Sequence, residues 1–187
     1  MNMLSDDIEK VLISEEEIKN KVFELGQAIS SDYTGKDLVL VSVLRGAILF
    51  IADLVRTISL PVTIDFMAIS SYGPSTESSG VVKVVKDLEE NIVGRHVLVI
   101  EDIIDTGLTL NYLLRNLSAR DPASLNVCVL LDKAARRIAY NLPIKYKGFD
   151  IPDVFVVGYG LDFRQKYRNL PYVGILKKSI YEEELAG

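Results

Sequence analysis

Apolar stretches along the chain alternate between the periodicity of strands and that of helices. Residues 38–44, 97–100 and 125–131 are almost continuously apolar and rich in valine. Such runs are typical of strands that are buried on both faces of a parallel sheet. By the same criteria we predict strands at 62–69 and 81–85, helices at 47–58 and 109–117, and short apolar segments that complete the core at 155–158 and 172–176.

The N-terminal part of the chain predicts an amphipathic helix. Ser14 followed by Glu17 is a capping-box pattern, in which each side chain bonds the backbone N–H of the other residue. Apolar residues then recur at helical spacing, at Ile18, Val22, Leu25 and Ile29. Because strands and helices alternate along the chain, we predict an α/β fold with a mainly parallel sheet and right-handed crossovers. Ligands of such sheets bind beyond the carboxyl ends of the strands.

Residues 70–80 interrupt this alternation. They are rich in serine, glycine, proline and threonine, and Tyr72 is their only large side chain. The composition predicts a mobile loop, although it is also typical of an ordinary surface loop. Polar residues at 87–94 predict a shorter turn.

Composition and charge narrow the class of protein. The 187 residues suit one domain with a substantial core, and the net charge of −5 argues against a large nucleic-acid surface. The single cysteine, Cys128, excludes an intrachain disulfide and suits a reducing compartment. The sequence shows no apolar run of membrane-spanning length and no basic-then-apolar order at its N-terminus. We therefore expect a cytoplasmic protein without a membrane or nucleic-acid partner.

The densest cluster of polar chemistry lies in residues 97–110. Two carboxylates, Glu101 and Asp102, follow the buried strand, and Asp105 comes three residues later. Thr106, Gly107 and Thr109 then begin the predicted helix. The free N–H groups of a helix N-terminus bind phosphate, glycine allows the backbone a close approach, and hydroxyls add donors.

The carboxylates complete a possible sugar-phosphate site. Glu101 and Asp102 are acceptors only, so they suit the vicinal hydroxyls of a ribose, or Mg²⁺ bound directly or through water. Phosphate donors beside diol acceptors predict a ribose 5-phosphate site. The alternative is an acidic turn that merely caps a helix, and the two carboxylates after a buried strand argue against it.

Residues 97–110 resemble the phosphoribosyl-pyrophosphate motif of the type I phosphoribosyltransferases, and Glu-Asp-Ile-Ile-Asp-Thr-Gly is similar to its hypoxanthine-guanine branch. The resemblance implies the fold of that family, with a mainly parallel central sheet flanked by helices and a small hood subdomain. Residues 1–187 would form one domain, with a core at about 35–150 and a hood from the N-terminal segment and about 150–187. It implies that the ribose and the 5′-phosphate are bound by Glu101, Asp102, Asp105, Thr106, Gly107, Leu108 and Thr109.

The resemblance also covers the pyrophosphate end of such a site. Leu44-Arg45-Gly46 matches the family's pyrophosphate loop, which implies a strained, often cis, peptide bond before Arg45. Arg168 falls where the family places a pyrophosphate-binding arginine, although by itself it would be interpreted as a surface residue. Ser70-Ser71-Tyr72-Gly73 matches the start of the family's mobile loop, so Ser71 and Tyr72 would belong to a segment that closes over the site.

The remaining matches concern the base. Lys133 matches the purine-specificity lysine, whose ammonium can donate to a 6-oxo group, and Phe155 would stack on the purine ring. The backbone of Val156 would read the base edge, and Asp162 would lie near the base and help to hold a metal. Interpreted singly, Lys133 would be a solvated lysine and Phe155 a core residue. The implied cofactor is Mg²⁺, with Glu101, Asp102 and Asp162 as candidate ligands.

These matches together predict a purine salvage glycosyltransferase that joins phosphoribosyl pyrophosphate to hypoxanthine, and to guanine as a second base. The resemblance gives Asp105 the role of accepting the purine N7 proton, and it implies a homodimer or homotetramer. Two alternatives stay open at this point. One is an enzyme for another base, and the other is a nucleotide-sensing, RNA-binding regulator of the same fold, which the acidic net charge disfavours.

Overall fold

The structure is a computed structural model that describes residues 5–71 and 82–181. Its helices are α1 (Glu15–Asp32), α2 (Ile48–Val55), α3 (Leu108–Ser118) and α4 (Lys178–Tyr181). Its strands are β1 (Ile8–Ile13), β2 (Leu38–Leu44), β3 (Val62–Ser71), β4 (Val82–Lys86), β5 (His96–Ile104), β6 (Ser124–Asp132), β7 (Ile144–Asp150), β8 (Val156–Val157) and β9 (Val173–Leu176). No helix in these ranges is long and apolar enough to cross a membrane.

The central sheet contains the strands in the order β4-β3-β2-β5-β6-β7. The neighbours from β3 to β7 are parallel, and β4 pairs antiparallel with β3 at one edge. This confirms the prediction of an α/β fold with a mainly parallel sheet. The strand order reverses between β2 and β5, and the carboxyl ends on either side of such a reversal form the usual ligand crevice.

Side chains on the two faces of this sheet build two separate cores. On one face Leu40, Leu98 and Leu130 pack against α1 and α2, and on the other Val41 and Val99 pack against α3. The alternation follows from the two-residue period of strands. It explains why residues 38–44, 97–100 and 125–131 are apolar at almost every position. The rigid strands therefore present their carboxyl ends at one edge of a well-packed sheet.

A second, smaller sheet joins the two ends of the described chain. β9 lies between β1 and β8 and pairs antiparallel with both. The backbone N–H of Lys177 donates to the carbonyl of Asp7, which ties the segment after β9 to the segment before β1. The sheet carries Phe155 and Val156 into the region above the crevice, so its position matters for the site.

Most predicted elements are confirmed, with differences at their ends. The capping box is formed: Glu17 N donates to Ser14 Oγ at 3.3 Å, and Ser14 N donates to Glu17 Oε2 at 2.8 Å. The prediction for α2 was too long, because Thr57 and Ile58 donate to carbonyls three residues back and not four, so the helix ends at Val55. Strands β1 and β7 were not predicted.

Two boundary differences affect the site. β5 continues to Ile104 because its pairing with β6 extends to Asp132, so Glu101 lies within the strand and not beyond it. β3 continues to Ser71, so Ser70 and Ser71 belong to a strand and the predicted mobile loop begins later than we expected. Tyr72 and the rest of that loop through residue 81 lie outside the described residues, and its mobility stays a prediction.

A buried carboxylate organises the turn after β4. Asp65 on β3 is 5% exposed and accepts hydrogen bonds from the backbone N–H groups of Phe66, Glu89 and Glu90 at 2.7–2.8 Å. Burial by itself raises the pKa of Asp65, but the three N–H donors and the charge of Lys86 outweigh it and lower the pKa. The ionised form therefore stabilises the folded state.

We expect Asp65→Ala to lower the free energy of unfolding at pH 7 by roughly 1.5–3 kcal/mol, because three N–H groups lose a charged acceptor. The unfolded pKa of aspartate is about 3.9 and the folded pKa is lower, so this stabilisation is present above about pH 4 and disappears as the pH falls through the folded value. Urea unfolding at pH 7 and pH 3 measures it, with exposed Glu24→Ala as the control. A destabilisation of the same size at both pH values would contradict this account.

Candidate active site

A cavity of about 340 Å³ lies at the carboxyl ends of β2, β5 and β6. These three strands are neighbours in the sheet, and they span the point where the strand order reverses. The cavity is lined by Arg45, Gly46, Asp102, Ile103, Lys133, Phe155, Val156, Leu161, Asp162 and Arg168. Segments far apart in the sequence thus meet where an α/β sheet normally binds its ligand.

The segment after β2 is held very close to its neighbours. The peptide bond between Leu44 and Arg45 is cis, which agrees with the expectation from the resemblance. A Cβ atom on Gly46 would lie 1.7 Å from Asp102 Oδ2, so a side chain there would displace this carboxylate. A Cβ atom on Gly160 would lie 2.0 Å from the Gly46 carbonyl oxygen. Close packing against backbone therefore requires glycine at 160, and at 46 it keeps the Asp102 carboxylate in its place.

Of the two neighbouring carboxylates on β5, Asp102 faces Gly46 and lines the cavity, whereas Glu101 is not among the lining residues. Burial raises the pKa of Asp102 to about 6, against lowering effects of the Ile103 N–H and the charge of Arg168. Burial, with the charge of Asp102, raises the pKa of Glu101 well above its usual value. Burial therefore disfavours the ionised form of both carboxylates, and hydrogen-bond donors or a cation bound beside them would stabilise that form.

The connection from β5 to α3 exposes the first N–H groups of the helix. Gly107 adopts φ +78°, and α3 begins at Leu108, one residue earlier than predicted. Thr106 Oγ1 accepts weakly from Leu108 N at 3.4 Å, and the Thr106 carbonyl anchors the segment around Ile138. Leu108 and Thr109 are exposed, so their N–H groups lie at an open helix N-terminus. This geometry suits a phosphate.

Lys133 is buried, with only 7% of the residue exposed, so it is not the solvated lysine that its sequence neighbourhood alone would indicate. It follows β6 directly, and its backbone N–H donates to the Ile104 carbonyl next to Asp105. Its Nζ lies 3.8 Å from Asp153 Oδ1. Asp105 Oδ1 lies 3.0 Å from Arg136 Nε.

Two arginines converge through a glutamine that we did not predict. Arg168 contacts Asp162 Oδ1 at 2.7 Å and donates to the Gly160 carbonyl at 2.6 Å. Gln165 Oε1 accepts from Arg168 Nη2 at 3.2 Å and from Arg45 Nη1 at 3.1 Å. Gln165 thereby holds two guanidinium groups on one side of the cavity, which suits a polyanion.

Phe155 stands at the edge of the cavity with 39% of its surface exposed, so it is not a core residue. Its ring stacks on Tyr181 of α4, with centroids 5.2 Å apart and an interplanar angle of 29°. Phe163 meets it edge-on at 5.7 Å. A ring supported in this way can offer its free side to a planar ligand.

A metal would need donors besides the protein. Within the described ranges, no three carboxylate, histidine or cysteine side chains come together as a metal site. Glu101, Asp102 and Asp162 nevertheless offer the acceptor-only oxygens that Mg²⁺ prefers, and Glu101 Oε2 is buried with no hydrogen-bond partner among the described residues. Because Mg²⁺ is commonly held by one or two carboxylates together with substrate phosphates, these residues fit an ion that binds with a pyrophosphate.

Two arginines, a lysine, a carboxylate and an exposed aromatic ring around one cavity suit a ligand that carries both phosphate groups and a planar ring. The model of the phosphoribosyl transferase domain family matches residues 13–164, so this chain belongs to that family.

Individual relatives narrow the comparison. The chain is 52% identical over 183 residues to the hypoxanthine-guanine phosphoribosyltransferase of Mycobacterium avium, which covers 95% of this chain and 90% of that protein. It is 51% identical over 180 residues to the enzyme of the same name from Bacillus subtilis, with 96% and 99% covered. The crystal structure of a hypoxanthine phosphoribosyltransferase from Staphylococcus aureus superposes with a TM-score of 0.92 at 47% identity, over 97% of this chain and 98% of that one. The predicted fold and family are thus confirmed.

The structure brings most of the predicted residues to one place. The cavity contains the candidates for the pyrophosphate and the base together with Asp102. Glu101, Asp105 and residues 106–109 are not among its lining residues, and Leu108 lines a separate pocket along α3. Sequence reasoning missed Gln165, Arg136 and Asp153, because each acts on another side chain and none belongs to a matched motif. The backbone of Gln165 has φ +63°, a value that non-glycine residues rarely adopt. No pattern in the sequence predicted this conformation.

Proposed function

We propose that this protein is a hypoxanthine-guanine phosphoribosyltransferase of purine salvage, which transfers the 5-phosphoribosyl group from phosphoribosyl pyrophosphate to N9 of the base. The single observation that carries the proposal is the cavity that gathers Arg45, Arg168, Lys133 and Phe155 beside Asp102. Relatives that share about half of its residues are named for this activity. The products would be IMP or GMP and pyrophosphate.

Binding would divide the cavity by charge. The exposed N–H groups of Leu108 and Thr109, with Gly107 and the Thr106 hydroxyl, would hold the 5′-phosphate. Arg45, Gly46 and Arg168 would hold the pyrophosphate, and Asp102 with Glu101 would bind the ribose or a metal. The positions of Arg45, Gly46, Arg168 and Asp102 in the cavity wall support the second half of this division. The assignments of Glu101 and of the 5′-phosphate rest on the family motif and on the open N-terminus of α3.

The base would lie between these groups and the smaller sheet. Phe155 would stack on the purine, and Lys133 Nζ would donate a hydrogen bond to the 6-oxo oxygen. A 6-amino group could not accept this hydrogen bond, so the lysine would exclude 6-aminopurines. The backbone of Val156, and the region of Asp162, would read the far edge of the base. All four residues line one cavity.

The reaction would be a direct displacement. The bond from N9 to the anomeric carbon forms, the bond from that carbon to the pyrophosphate oxygen breaks, and the N7 proton passes to Asp105 as N9 attacks. Arg45 and Arg168 would stabilise the negative charge that develops on the departing pyrophosphate. When bound together with the substrate, Mg²⁺ would supply further charge neutralisation, with Asp102 and Asp162 as ligands directly or through water and Glu101 as a ligand through water.

Further assignments belong to the same proposal. Residues 1–187 would act as one domain, with residues of about 35–150 as the core and the smaller sheet as the hood. Ser71 and Tyr72 would begin the segment that closes over the site. The enzyme would be a cytoplasmic homodimer or homotetramer, and its partners would be its two substrates and Mg²⁺.

Release of pyrophosphate tests the function directly. We expect release when the protein is mixed with phosphoribosyl pyrophosphate, Mg²⁺ and hypoxanthine or guanine, and little with adenine. A panel that includes xanthine ranks the 6-oxopurines. No release with any base, together with retention of RNA on a filter, would favour the regulator instead.

Lys133→Met should lower kcat/KM for hypoxanthine roughly 10- to 100-fold, the worth of one lost charge-assisted hydrogen bond. The variant keeps the length of the buried side chain, so the KM for phosphoribosyl pyrophosphate should change little. Steady-state rates with each substrate varied in turn measure both quantities. Exposed Lys19→Met is the matched control, and an equal loss in both variants would refute the role of Lys133.

A further inference from the structure

Four charged side chains form a chain of alternating sign beside the cavity. Lys133 Nζ lies 3.8 Å from Asp153 Oδ1, and the same oxygen lies 3.5 Å from Arg136 Nη1. Arg136 Nε in turn lies 3.0 Å from Asp105 Oδ1. We call these residues, Lys133, Asp153, Arg136 and Asp105, the charge chain. Its two ends are the residues proposed to contact the base.

The charge chain joins three separate parts of the fold. Asp105 lies between β5 and α3, Lys133 and Arg136 lie on one tight turn after β6, and Asp153 precedes β8. The turn is closed by the Arg136 N–H, which donates to the Lys133 carbonyl at 2.9 Å. Arg136 therefore reaches Asp105 from the same turn that carries Lys133.

Exposure decides what the charge chain can do. Nearly half of the side-chain surface of Asp105, Arg136 and Asp153 is accessible, whereas Lys133 is 9% exposed. Ion pairs this exposed contribute about 0–1 kcal/mol to the free energy of unfolding, so the ion pairs of Arg136 stabilise the fold only slightly. The guanidinium lies within ion-pair distance of both carboxylates, with Nε near Asp105 and Nη1 near Asp153, so its charge draws the two towards one group. Asp105 Oδ1 is buried and makes no hydrogen bond to the described residues, so the attraction to Arg136 leaves its lone pairs available to a proton.

The chemistry of the base makes such restraint useful. A 6-oxopurine that reacts at N9 presents O6, an acceptor, and N7–H, a donor, side by side on one edge. Reading this edge requires an ammonium and a carboxylate at a set separation and orientation. Lys133 and Asp105 are the ends of the charge chain, and Asp153 and Arg136 are the only members between them.

We propose that Arg136 is a positioning residue that orients the Asp105 carboxylate towards the purine N7 proton, and that Asp153 aligns Arg136 with Lys133 so that the two ends fit one purine edge. This inference rests on the proposed function, because it requires Asp105 to be the proton acceptor. It goes beyond that function by giving roles to Arg136 and Asp153.

A double-mutant cycle tests whether Arg136 acts through Asp105. The single-turnover rate of IMP formation is measured for the wild type, Arg136→Met, Asp105→Asn and the double variant, at saturating phosphoribosyl pyrophosphate and Mg²⁺. We expect Arg136→Met to lower the wild-type rate by roughly 10-fold, the order of loss that follows misorientation of a catalytic group. In the Asp105→Asn background it should change the rate by less than about 2-fold, since the oriented carboxylate is already gone.

Three further measurements separate positioning from a structural or binding role. The KM for phosphoribosyl pyrophosphate should be unchanged in Arg136→Met, and Arg136→Lys should recover part of the rate. Asp153→Asn should lower the rate and also raise the KM for hypoxanthine, because the Asp153 carboxylate pairs with Lys133 as well as with Arg136. The matched control is Arg115→Met, the same change on the exposed face of α3.

The outcomes that overturn the proposal are distinct from failure of the function. Equal fold-losses from Arg136→Met in both backgrounds would show that Arg136 does not act through Asp105. A wild-type rate in Asp105→Asn would remove the proton-acceptor role and this proposal with it, while IMP formation by the wild type would still establish the activity. No IMP from the wild type would instead reject the proposed function itself.

Discussion

Asp105→Asn should lower the rate of nucleotide formation by roughly 10²–10⁴-fold, the usual contribution of a positioned general base. Asparagine keeps the size of the side chain and one acceptor oxygen, but it cannot take up the purine N7 proton as a base. The carboxylate lies 3.0 Å from Arg136 at the edge of the cavity, next to the connection that would hold the 5′-phosphate. Single-turnover rates of IMP formation measure the loss.

Binding of phosphoribosyl pyrophosphate should survive this change, because the phosphate and pyrophosphate contacts come from other residues. The dissociation constant, measured by calorimetry with Mg²⁺ present, should stay within about threefold of the wild-type value, a change smaller than the loss of one hydrogen bond to a charged group. Asp121→Asn is the matched control, since Asp121 is exposed and asparagine tolerates its φ of +52°. Unchanged turnover in Asp105→Asn would refute the assignment.

Gly160→Ala should lower kcat/KM for phosphoribosyl pyrophosphate by at least about 100-fold, because displacing a binding segment by 1 Å costs that order of rate. The new Cβ atom would lie 2.0 Å from the carbonyl oxygen of Gly46 in the loop proposed to bind pyrophosphate. The obstacle is backbone, which cannot rotate away as a flexible side chain would. Either the Gly46 segment or the segment that carries Arg168 has to move.

The control for this variant separates the clash from backbone strain. Gly94 also has a left-handed backbone, with φ +71° against +98° for Gly160, but a Cβ atom there would meet nothing within 4 Å. Gly94→Ala should therefore cost only the conformational penalty of roughly 1–2 kcal/mol in stability and leave catalysis intact. Similar losses of kcat/KM in the two variants would show that close packing at Gly160 is not what the site requires.

The central sheet could be predicted from sequence because its strands have a strong local signal. β2, β5 and β6 are apolar at nearly every position, and only strands buried on both faces tolerate that pattern. β1 and β7 lack this signal, since their residues are partly charged and partly exposed. They form because β9 and β6 offer free edges for pairing, and such edges exist only in the folded chain.

Within the candidate site, residues close together in sequence could be predicted as a group, and residues far apart could not. The carboxylates, threonines and glycine of residues 101–109 are contiguous, so their chemistry could be predicted together. Even there the sequence did not indicate that Asp102 lines the cavity and Glu101 does not, or that both residues lie within β5. The strand continues through both residues because its pairing with β6 extends to Ile104.

The sequence by itself determined the fold class and the family, and it predicted which residues bind phosphate, because hydrophobic periodicity and a contiguous motif are local properties of the chain. Only the tertiary structure decided how those residues are held. Gln165 bridges Arg45 and Arg168, and Arg136 meets Asp105, across 120 and 31 positions of sequence. Such contacts depend on where the strands end in space, and residue order alone does not specify that. The tertiary structure thus turned Asp105 from one acid of a motif into one end of a four-residue charge chain.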